Sequence, residues 1–178
     1  LVASPGAFIY DELDYFEEDL RIYDLDEVLQ SEMTPGLNPL GYIGDKTELI
    51  HDALVMGIRN YFYKLGFDTA ILGLSGGIDS AVTMVLAARA LGPGNVRAVL
   101  LPSAFSSEHS VNDALALANN LGSPFDIISI EDAFDTIDKS LDPVFGDLPF
   151  DLTEENIQAR IRGMILMAMS NKFGNILL

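Results

Sequence analysis

The chain has 178 residues, 49% of them hydrophobic, which is enough to bury one well-packed core. Its formal net charge of −17 argues against nonspecific binding to nucleic acid or to an anionic membrane, and its apolar runs are too short to cross a bilayer. Cysteine is absent, which excludes disulfides, thiolate metal sites and cysteine nucleophiles and favours a cytoplasmic protein.

The first 32 residues are strongly acidic, and Arg21 is their one cation. Within them, the apolar stretches "AFIY" (7–10) and "LRIYDL" (20–25) predict two short strands. The prolines and glycines of "MTPGLNPLG" (33–41) then interrupt the pattern as a linker does, and they predict a domain boundary near Pro35.

Beyond residue 45, segments typical of helices and of strands alternate. Apolar residues at three- and four-residue steps predict helices over 46–65, 79–91, 107–121, from about 131 to Leu141, and from an N-cap at Thr153 to about Lys172. Short apolar segments predict strands at 69–74, 96–101, 125–130 and 175–178. Strict alternation predicts an α/β fold: a doubly wound parallel sheet with helices on both faces, preceded by the short acidic N-terminal segment.

The stretch "LGLSGGIDSA" (72–81) forms the turn between the first strand of this sheet and its helix. Ligands of such sheets bind beyond the carboxyl ends of the strands, and the free N–H groups of a helix start attract phosphate. Gly76 and Gly77 let the backbone approach a phosphate without an intervening Cβ, while Ser75 and Ser80 offer hydroxyls. The pattern therefore predicts a phosphate-binding loop in preference to a plain turn with a serine cap.

Asp79 lies in the first turn of the helix that follows this loop. The helix dipole favours a carboxylate there, so capping alone could account for it. A bare carboxylate would repel a triphosphate, however, unless a divalent cation lay between them. Mg²⁺ takes oxygen ligands from one or two carboxylates together with phosphate oxygens, and we therefore predict that Asp79 is a magnesium ligand.

No Gly-Lys-Ser/Thr follows the glycines, so the stretch is not a Walker loop. "SGGIDS" (75–80) resembles instead the SGGxDS pyrophosphate loop of the N-type ATP pyrophosphatases, which cleave ATP between the α and β phosphates and activate a substrate oxygen as an adenylate. That superfamily includes NAD synthetase, GMP synthetase, asparagine synthetase and argininosuccinate synthetase. The resemblance implies an adenine nucleotide alpha hydrolase-like fold.

Three further stretches resemble the NAD synthetases in particular. "LLPSAFSSEHS" (100–110) is similar to their Leu/Met-Pro-Ser-x-x-Ser-Ser segment, and "ENIQARIRGM" (155–164) to their Asn-x-x-Ala-Arg-x-Arg helix. "FEEDLRIYDLDEV" (16–28) resembles the end of the nitrilase-like glutaminase domain of the glutamine-dependent members. The resemblance implies that residues 1–35 are a remnant of that domain plus a linker, and that 36–178 are an ATP pyrophosphatase NAD synthetase domain, C-terminally incomplete.

The implied reaction is ATP-dependent amidation of nicotinic acid adenine dinucleotide (deamido-NAD) to NAD through an acyl adenylate, with release of pyrophosphate and AMP. Ammonia would come from glutamine by way of the missing glutaminase domain, Mg²⁺ would accompany ATP, and the domain would form a homodimer or larger homo-oligomer. The family continues into a Thr-Gly-Asn-Lys-Ser-Glu segment with a second magnesium ligand, which this sequence lacks. We therefore expect the chain alone to be inactive.

The resemblance also assigns site residues. It implies catalytic roles for Ser75, Asp79 and Ser80. It implies ATP contacts at Gly73, Leu74, Ser75, Gly76, Gly77, Ile78, Asp79, Ser80, Leu101, Pro102, Ser103 and Ser107. It implies deamido-NAD contacts at Asn156, Arg160 and Arg162.

Several alternatives stay open. Ser103, Ser106 and Ser107 could simply form a loop and an N-cap, and His51 and His109 have no recognisable metal or base partner, which favours structural roles. Another N-type ATP pyrophosphatase, such as a GMP synthetase, would release pyrophosphate with a different acceptor. A noncatalytic nucleotide-binding module would bind MgATP without forming AMP.

Overall fold

The computed structural model describes residues 2–4, 7–9, 15–24, 26 and 45–178. The chain divides into two compact units, Leu1–Ala53 and Leu54–Leu178. In the first unit, strands β1 (Val2–Ser4) and β2 (Ala7–Ile9) form an antiparallel pair, which confirms the strand predicted at "AFIY". The boundary predicted near Pro35 lies outside the described residues.

The strand predicted at "LRIYDL" is wrong for its described residues, 20–24, which form no regular element. Leu20 is 83% exposed and Ile22 is 89% exposed. Apolar alternation stabilises a strand only when one face is buried and a neighbouring strand accepts its hydrogen bonds, and residues 20–24 lack the buried face.

The remaining elements follow the predicted alternation. The helices are α1 (Lys46–Leu65), α2 (Ile78–Leu91), α3 (Glu108–Leu121), α4 (Glu131–Phe145) and α5 (Leu152–Phe173). The strands are β3 (Ala70–Gly73), β4 (Val96–Leu100), β5 (Phe125–Ile127) and β6 (Ile176–Leu177). None of the helices in the described ranges is both long and apolar enough to cross a membrane.

Strands β3 to β6 form one sheet in the order β5-β4-β3-β6, and every neighbouring pair is parallel. Its faces are covered by different helices. Leu72 of β3 packs in a core with residues of α1, α2 and α3, such as Met84. Ile71, the adjacent residue of β3, lies in a second core with residues of α4 and α5, such as Ile161. The predicted doubly wound architecture with helices on both faces is confirmed.

Strand β3 is central because β4 pairs with one of its edges and β6 with the other. The Thr69 hydroxyl, just before β3, donates to the side-chain oxygen of Asn175, just before β6, at 2.7 Å. The chain leaves β3 toward β4 and later returns to the opposite edge, so the carboxyl end of β3 is a topological switch point. Ligands of open parallel sheets bind at such points.

Two helix boundaries differ from those predicted. Helix α4 continues through Pro143 to Phe145 instead of ending near Leu141. Pro143 lies in the last turn, so the N–H donor that it lacks is missing near the end of the helix, and the Gly146 N–H still donates to the Asp142 carbonyl at 2.9 Å. Helix α5 is capped by Asp151, not by Thr153. The Asp151 carboxylate accepts from the Thr153 N–H at 2.7 Å, and the Glu154 carboxylate accepts from the Asp151 N–H at 2.7 Å, which together form a capping box.

Candidate functional site

A cleft of about 500 Å³ opens at the carboxyl ends of β3 and β4. Its walls come from the end of each strand, the segment after β4, the first turn of α3 and two residues of α5. Seven of its lining residues are among the predicted site residues: Gly73, Leu74, Ser75, Leu101, Pro102, Ser107 and Arg162. Three segments predicted from separate stretches of sequence therefore meet in one place.

The glycine loop, residues 75–78, is held by its own serines. The Ser80 hydroxyl donates to the Gly77 carbonyl at 3.0 Å and lies 3.0 Å from the Ser75 hydroxyl. Because Ser80 has a single proton and gives it to Gly77, Ser75 is the donor in the serine pair. The Gly77 N–H in turn donates to the Ser75 hydroxyl at 3.2 Å. Both hydroxyl protons thus fix the shape of the loop.

Gly76 brings this loop against helix α3. Its φ of +80° is in the left-handed region that glycine tolerates, and a Cβ on it would lie 2.2 Å from the Ser110 carbonyl oxygen. Gly77 is the N-cap of α2 and supplies no side chain to the first turn of that helix. The first N–H groups of α2 have no intrahelical acceptors, so they are available to an anion at the loop.

Asp79 lies in the first turn of α2, is exposed, and is not among the residues that line the cleft. Among the residues that the structure describes, no three His, Cys, Asp or Glu side chains are grouped closely enough to hold a metal ion. A single carboxylate beside a helix start with free N–H groups nevertheless fits Mg²⁺, which binds through one or two carboxylates plus phosphate oxygens. The residues fit a cation shared with a phosphate ligand, not an all-protein metal site.

The serines after β4 form a loop and an N-cap, which is the structural alternative that the sequence left open. Ser107 is the N-cap of α3: its hydroxyl accepts from the Ser110 N–H at 3.1 Å, and Glu108 lies in the first turn. Ser103 and Ser106 close the preceding loop, in which the Ser103 N–H donates to the Ser106 hydroxyl at 2.9 Å. Ser106 and Ser107 line the cleft, whereas Ser103 does not.

Arg162 projects from α5 into the cleft. Its Nε donates to the Leu101 carbonyl at 3.1 Å, and its Nη2 lies 3.4 Å from the Ser103 hydroxyl. Both partners are neutral, and partial burial of the guanidinium lowers the pKa of Arg162 by desolvation. Arginine stays protonated despite such a shift, so the cleft holds a positive charge that its hydrogen-bond partners do not neutralise.

Asn156 and Arg160 lie elsewhere on α5. The Arg160 Nη1 is 3.4 Å from the carbonyl and the side-chain oxygen of Asn156, both residues are exposed, and neither lines the cleft. The different partners of Arg160 and Arg162 agree with their spacing, because residues two apart on a helix do not share a face.

Several cleft residues were not assigned individual site roles from the sequence, although four of them lie within the stretch "LLPSAFSSEHS" (100–110) that resembles a family segment. They are Val99, Leu100, Phe105, Ser106, Ser110, Val111 and Leu166. Helical spacing could have identified two of them: Ser110 is three residues after Ser107, and Leu166 is four after Arg162. Five predicted residues, Gly76, Gly77, Ile78, Asp79 and Ser80, lie in the glycine loop and the start of α2 without lining the cleft. His51 and His109 also take no part in it.

The glycine loop lies at the switch point of a doubly wound sheet, and its Ser75 shares a cleft with Arg162, whose hydrogen-bond partners are neutral. This arrangement is typical of a nucleotide-binding α/β domain. The chain belongs to the NAD synthase family, whose model matches residues 50–178. It has the adenine nucleotide alpha hydrolase-like fold of its structural neighbours.

The chain is 48% identical over 163 residues to a glutamine-dependent NAD(+) synthetase of Synechocystis sp., which covers 92% of this chain and 29% of that protein. The structure of an Acinetobacter baumannii glutamine-dependent NAD+ synthetase in complex with ADP superimposes with a TM-score of 0.74 at 42% identity, covering 87% of this chain and 28% of that chain. The Francisella tularensis NMN synthetase gives a TM-score of 0.68 at 28% identity, with coverages of 75% and 54%. The chain thus spans about a third of its longer relatives.

Proposed function

We propose that this chain carries the ATP site of an enzyme that makes NAD by amidating deamido-NAD. The observation that supports this most strongly is the glycine loop, packed against α3 at the switch point of a domain that the NAD synthase model matches over residues 50–178. A relative of the same fold binds ADP, which is consistent with an adenine nucleotide in this cleft.

The reaction requires charge stabilisation and positioning more than covalent chemistry by the protein. The deamido-NAD carboxylate attacks the α-phosphorus of ATP, the bond from that phosphorus to the bridging oxygen breaks, and pyrophosphate leaves. Ammonia then attacks the acyl carbon of the adenylate, AMP leaves with the bonding electron pair, and a proton is released. Ammonia is proposed to come from glutamine through a glutaminase domain.

The chain's own groups fit the first step. The amides of Gly76, Gly77 and the first turn of α2 would hold the departing pyrophosphate, with Ser75 and Ser80 keeping the loop in shape. Mg²⁺ bound through Asp79 would offset the negative charge that develops on the phosphates. The remaining proposed ATP contacts are those of Gly73, Leu74, Ile78, Leu101, Pro102, Ser103 and Ser107.

The acceptor is proposed to lie along α5. Arg162, which faces the same cleft as Ser75 and Ser107, would meet both substrates where their reacting groups come together. Asn156 and Arg160, on the exposed part of α5, would contact the remainder of deamido-NAD. We further propose that the complete protein works in the cytoplasm as a homodimer or larger homo-oligomer.

The test uses a chimera in which residues 50–178 replace the matching segment of the Synechocystis relative. AMP formation from MgATP and ammonium is measured with deamido-NAD, nicotinic acid mononucleotide, xanthosine monophosphate or no acceptor. We expect AMP only with deamido-NAD.

The other acceptors in this test distinguish the alternative functions. AMP formation with nicotinic acid mononucleotide alone would indicate an NMN synthetase, as the Francisella relative is named. AMP formation with xanthosine monophosphate alone would indicate a GMP synthetase. A folded chimera that binds MgATP but forms AMP with none of them would favour a noncatalytic module.

A further inference from the structure

Two aromatic rings meet beside the nucleotide cleft. Phe105, in the segment between β4 and α3, and Phe150, just before α5, have ring centroids 5.2 Å apart with an interplanar angle of 48°. Phe105 is 68% exposed and Phe150 is 52% exposed. Two large apolar side chains from separate loops therefore contact each other while both remain largely in water.

Phe105 belongs to the lining of the cleft. On one side of it in the sequence lie Leu101 and Pro102, which supply apolar walls, and on the other lies Ser107, the N-cap of α3. The same helix contacts the glycine loop through the close approach of Gly76. The start of α3 therefore contacts the glycine loop and also follows directly after the segment that carries the aromatic ring.

A nucleotide with its phosphates on the glycine loop must place its base against the remaining walls of this cleft. Those walls include Leu101, Pro102 and Phe105, and an aromatic face binds a planar base by offset stacking. Contact with Phe150 restricts the motion of the Phe105 ring, which reduces the entropy lost when a base packs against it.

We propose that Phe105, supported by Phe150, is the stacking surface for the adenine ring of ATP. This inference rests on the proposed ATP site. It makes Phe105 a residue that positions the nucleotide through its base, whereas the glycine loop binds the phosphates. Ligands that carry phosphates without a base should therefore be insensitive to it.

The chain contains no tryptophan, so the Phe105→Trp variant has a single indole reporter at the proposed contact. We expect MgATP to quench its fluorescence and magnesium tripolyphosphate to leave it unchanged while competing with MgATP. Phe173→Trp is the control, because Phe173 does not line the cleft and lies beside Arg97 near the amino end of β4, whereas the cleft opens at the carboxyl end of that strand. Its emission should not respond to MgATP.

Affinities measured directly on the tryptophan-free chain separate the contribution of the base from that of the phosphates. Phe105→Ala should weaken MgATP binding roughly 5- to 150-fold, the range expected for the loss of one base–aromatic stack, and leave tripolyphosphate affinity unchanged. Phe105→Tyr, which keeps the ring, should bind MgATP as the wild-type chain does. The inference is overturned if Phe105→Ala weakens both ligands equally or weakens neither. It is also overturned if deamido-NAD, and not MgATP, quenches the tryptophan of Phe105→Trp.

The same titrations distinguish two kinds of failure. If tripolyphosphate and MgATP bind equally well to the wild-type chain and to Phe105→Ala, the proposed phosphate site is retained and the stacking role is rejected. A folded wild-type chain that binds neither ligand rejects the proposed ATP site, and the stacking role with it.

Discussion

A Cβ atom on Gly76 would lie 2.2 Å from the carbonyl oxygen of Ser110 and 2.8 Å from its Cα. The obstacle is helix backbone, which cannot move aside as a flexible side chain can. The glycine loop and the first turn of α3 therefore fit together only when residue 76 is glycine, and the position of the amides proposed to bind phosphate depends on that contact.

Replacing Gly76 tests this dependence. Gly76→Ala combines the backbone clash with an unfavourable φ of +80°, and we expect a loss of about 1–3 kcal/mol in the free energy of unfolding together with loss of MgATP binding. Gly57→Ala is the control. Gly57 lies inside α1 with nothing within 4 Å of a Cβ, so this variant should be more stable by about 0.5–1 kcal/mol. Urea unfolding measures the stability of each variant, and calorimetric titration measures its MgATP affinity. A Gly76→Ala variant that binds MgATP as tightly as the wild type would show that binding does not depend on the contact with α3.

Asp79 should matter only when magnesium is present. We expect the wild-type chain to bind ATP more tightly with Mg²⁺ than with EDTA, and Asp79→Asn to remove that difference, because the amide keeps the helix start but not the charge. Glu108→Gln is a matched control, since Glu108 is also an exposed acidic residue in a first helical turn. A magnesium effect that persists in Asp79→Asn would exclude Asp79 as the ligand.

Arg162 should contribute to anion binding in the cleft, unlike its neighbour on α5. Hydrogen bonds to charged groups contribute about 1.5–3 kcal/mol, so Arg162→Ala should weaken ATP roughly 10- to 100-fold. Arg162→Lys keeps the charge without the guanidinium fork and should be intermediate. Arg160→Ala, which changes a residue outside the cleft, should leave ATP affinity unchanged. Equal losses in Arg160→Ala and Arg162→Ala would show that the effect is not local.

The capping box of α5 predicts a pH dependence of stability. Hydrogen bonds from Thr153, first from its backbone N–H, hold the pKa of Asp151 below its ordinary value. A lowered folded-state pKa means that the contribution is fully present above the unfolded pKa of about 3.9 and is lost as the pH falls through the folded value.

Asp151→Asn keeps a capping acceptor without the titrating charge. The difference in urea midpoint between wild type and this variant should therefore be largest near neutral pH and shrink in acid. A difference that does not change between pH 7 and strongly acidic solution would contradict the role of the carboxylate charge.

The features that could be predicted from sequence are those determined by neighbouring residues. The glycine loop was predictable because "SGGIDS" carries its turn, its hydroxyls and its helix start within six residues. The cap of α5 could also have been identified, since Asp151 stands three residues before Glu154, the spacing of a capping box.

Features that depend on distant partners were not predictable in the same way. Nothing local shows that β6 pairs with β3, because apolar periodicity does not specify which strand is the neighbour. The strand predicted over 20–25 is wrong for its described residues, 20–24, because they have no buried face, and apolar alternation alone does not show whether a face will be buried. Phe105 lies within the stretch 100–110, but nothing in that stretch shows its contact with Phe150, 45 positions further along the chain.

The link between Thr69 and Asn175 bears on how the domain folds. The two residues are 106 positions apart, so the second edge of the central strand is paired only after a large loop has closed. Strand β4, in contrast, follows β3 after a single helix. During synthesis, the glycine loop can acquire its contacts with α3 well before β3 gains its last neighbour. Non-local parallel pairing of this kind slows folding, and we expect the closure of β6 onto β3 to be the late step that completes the four-stranded sheet.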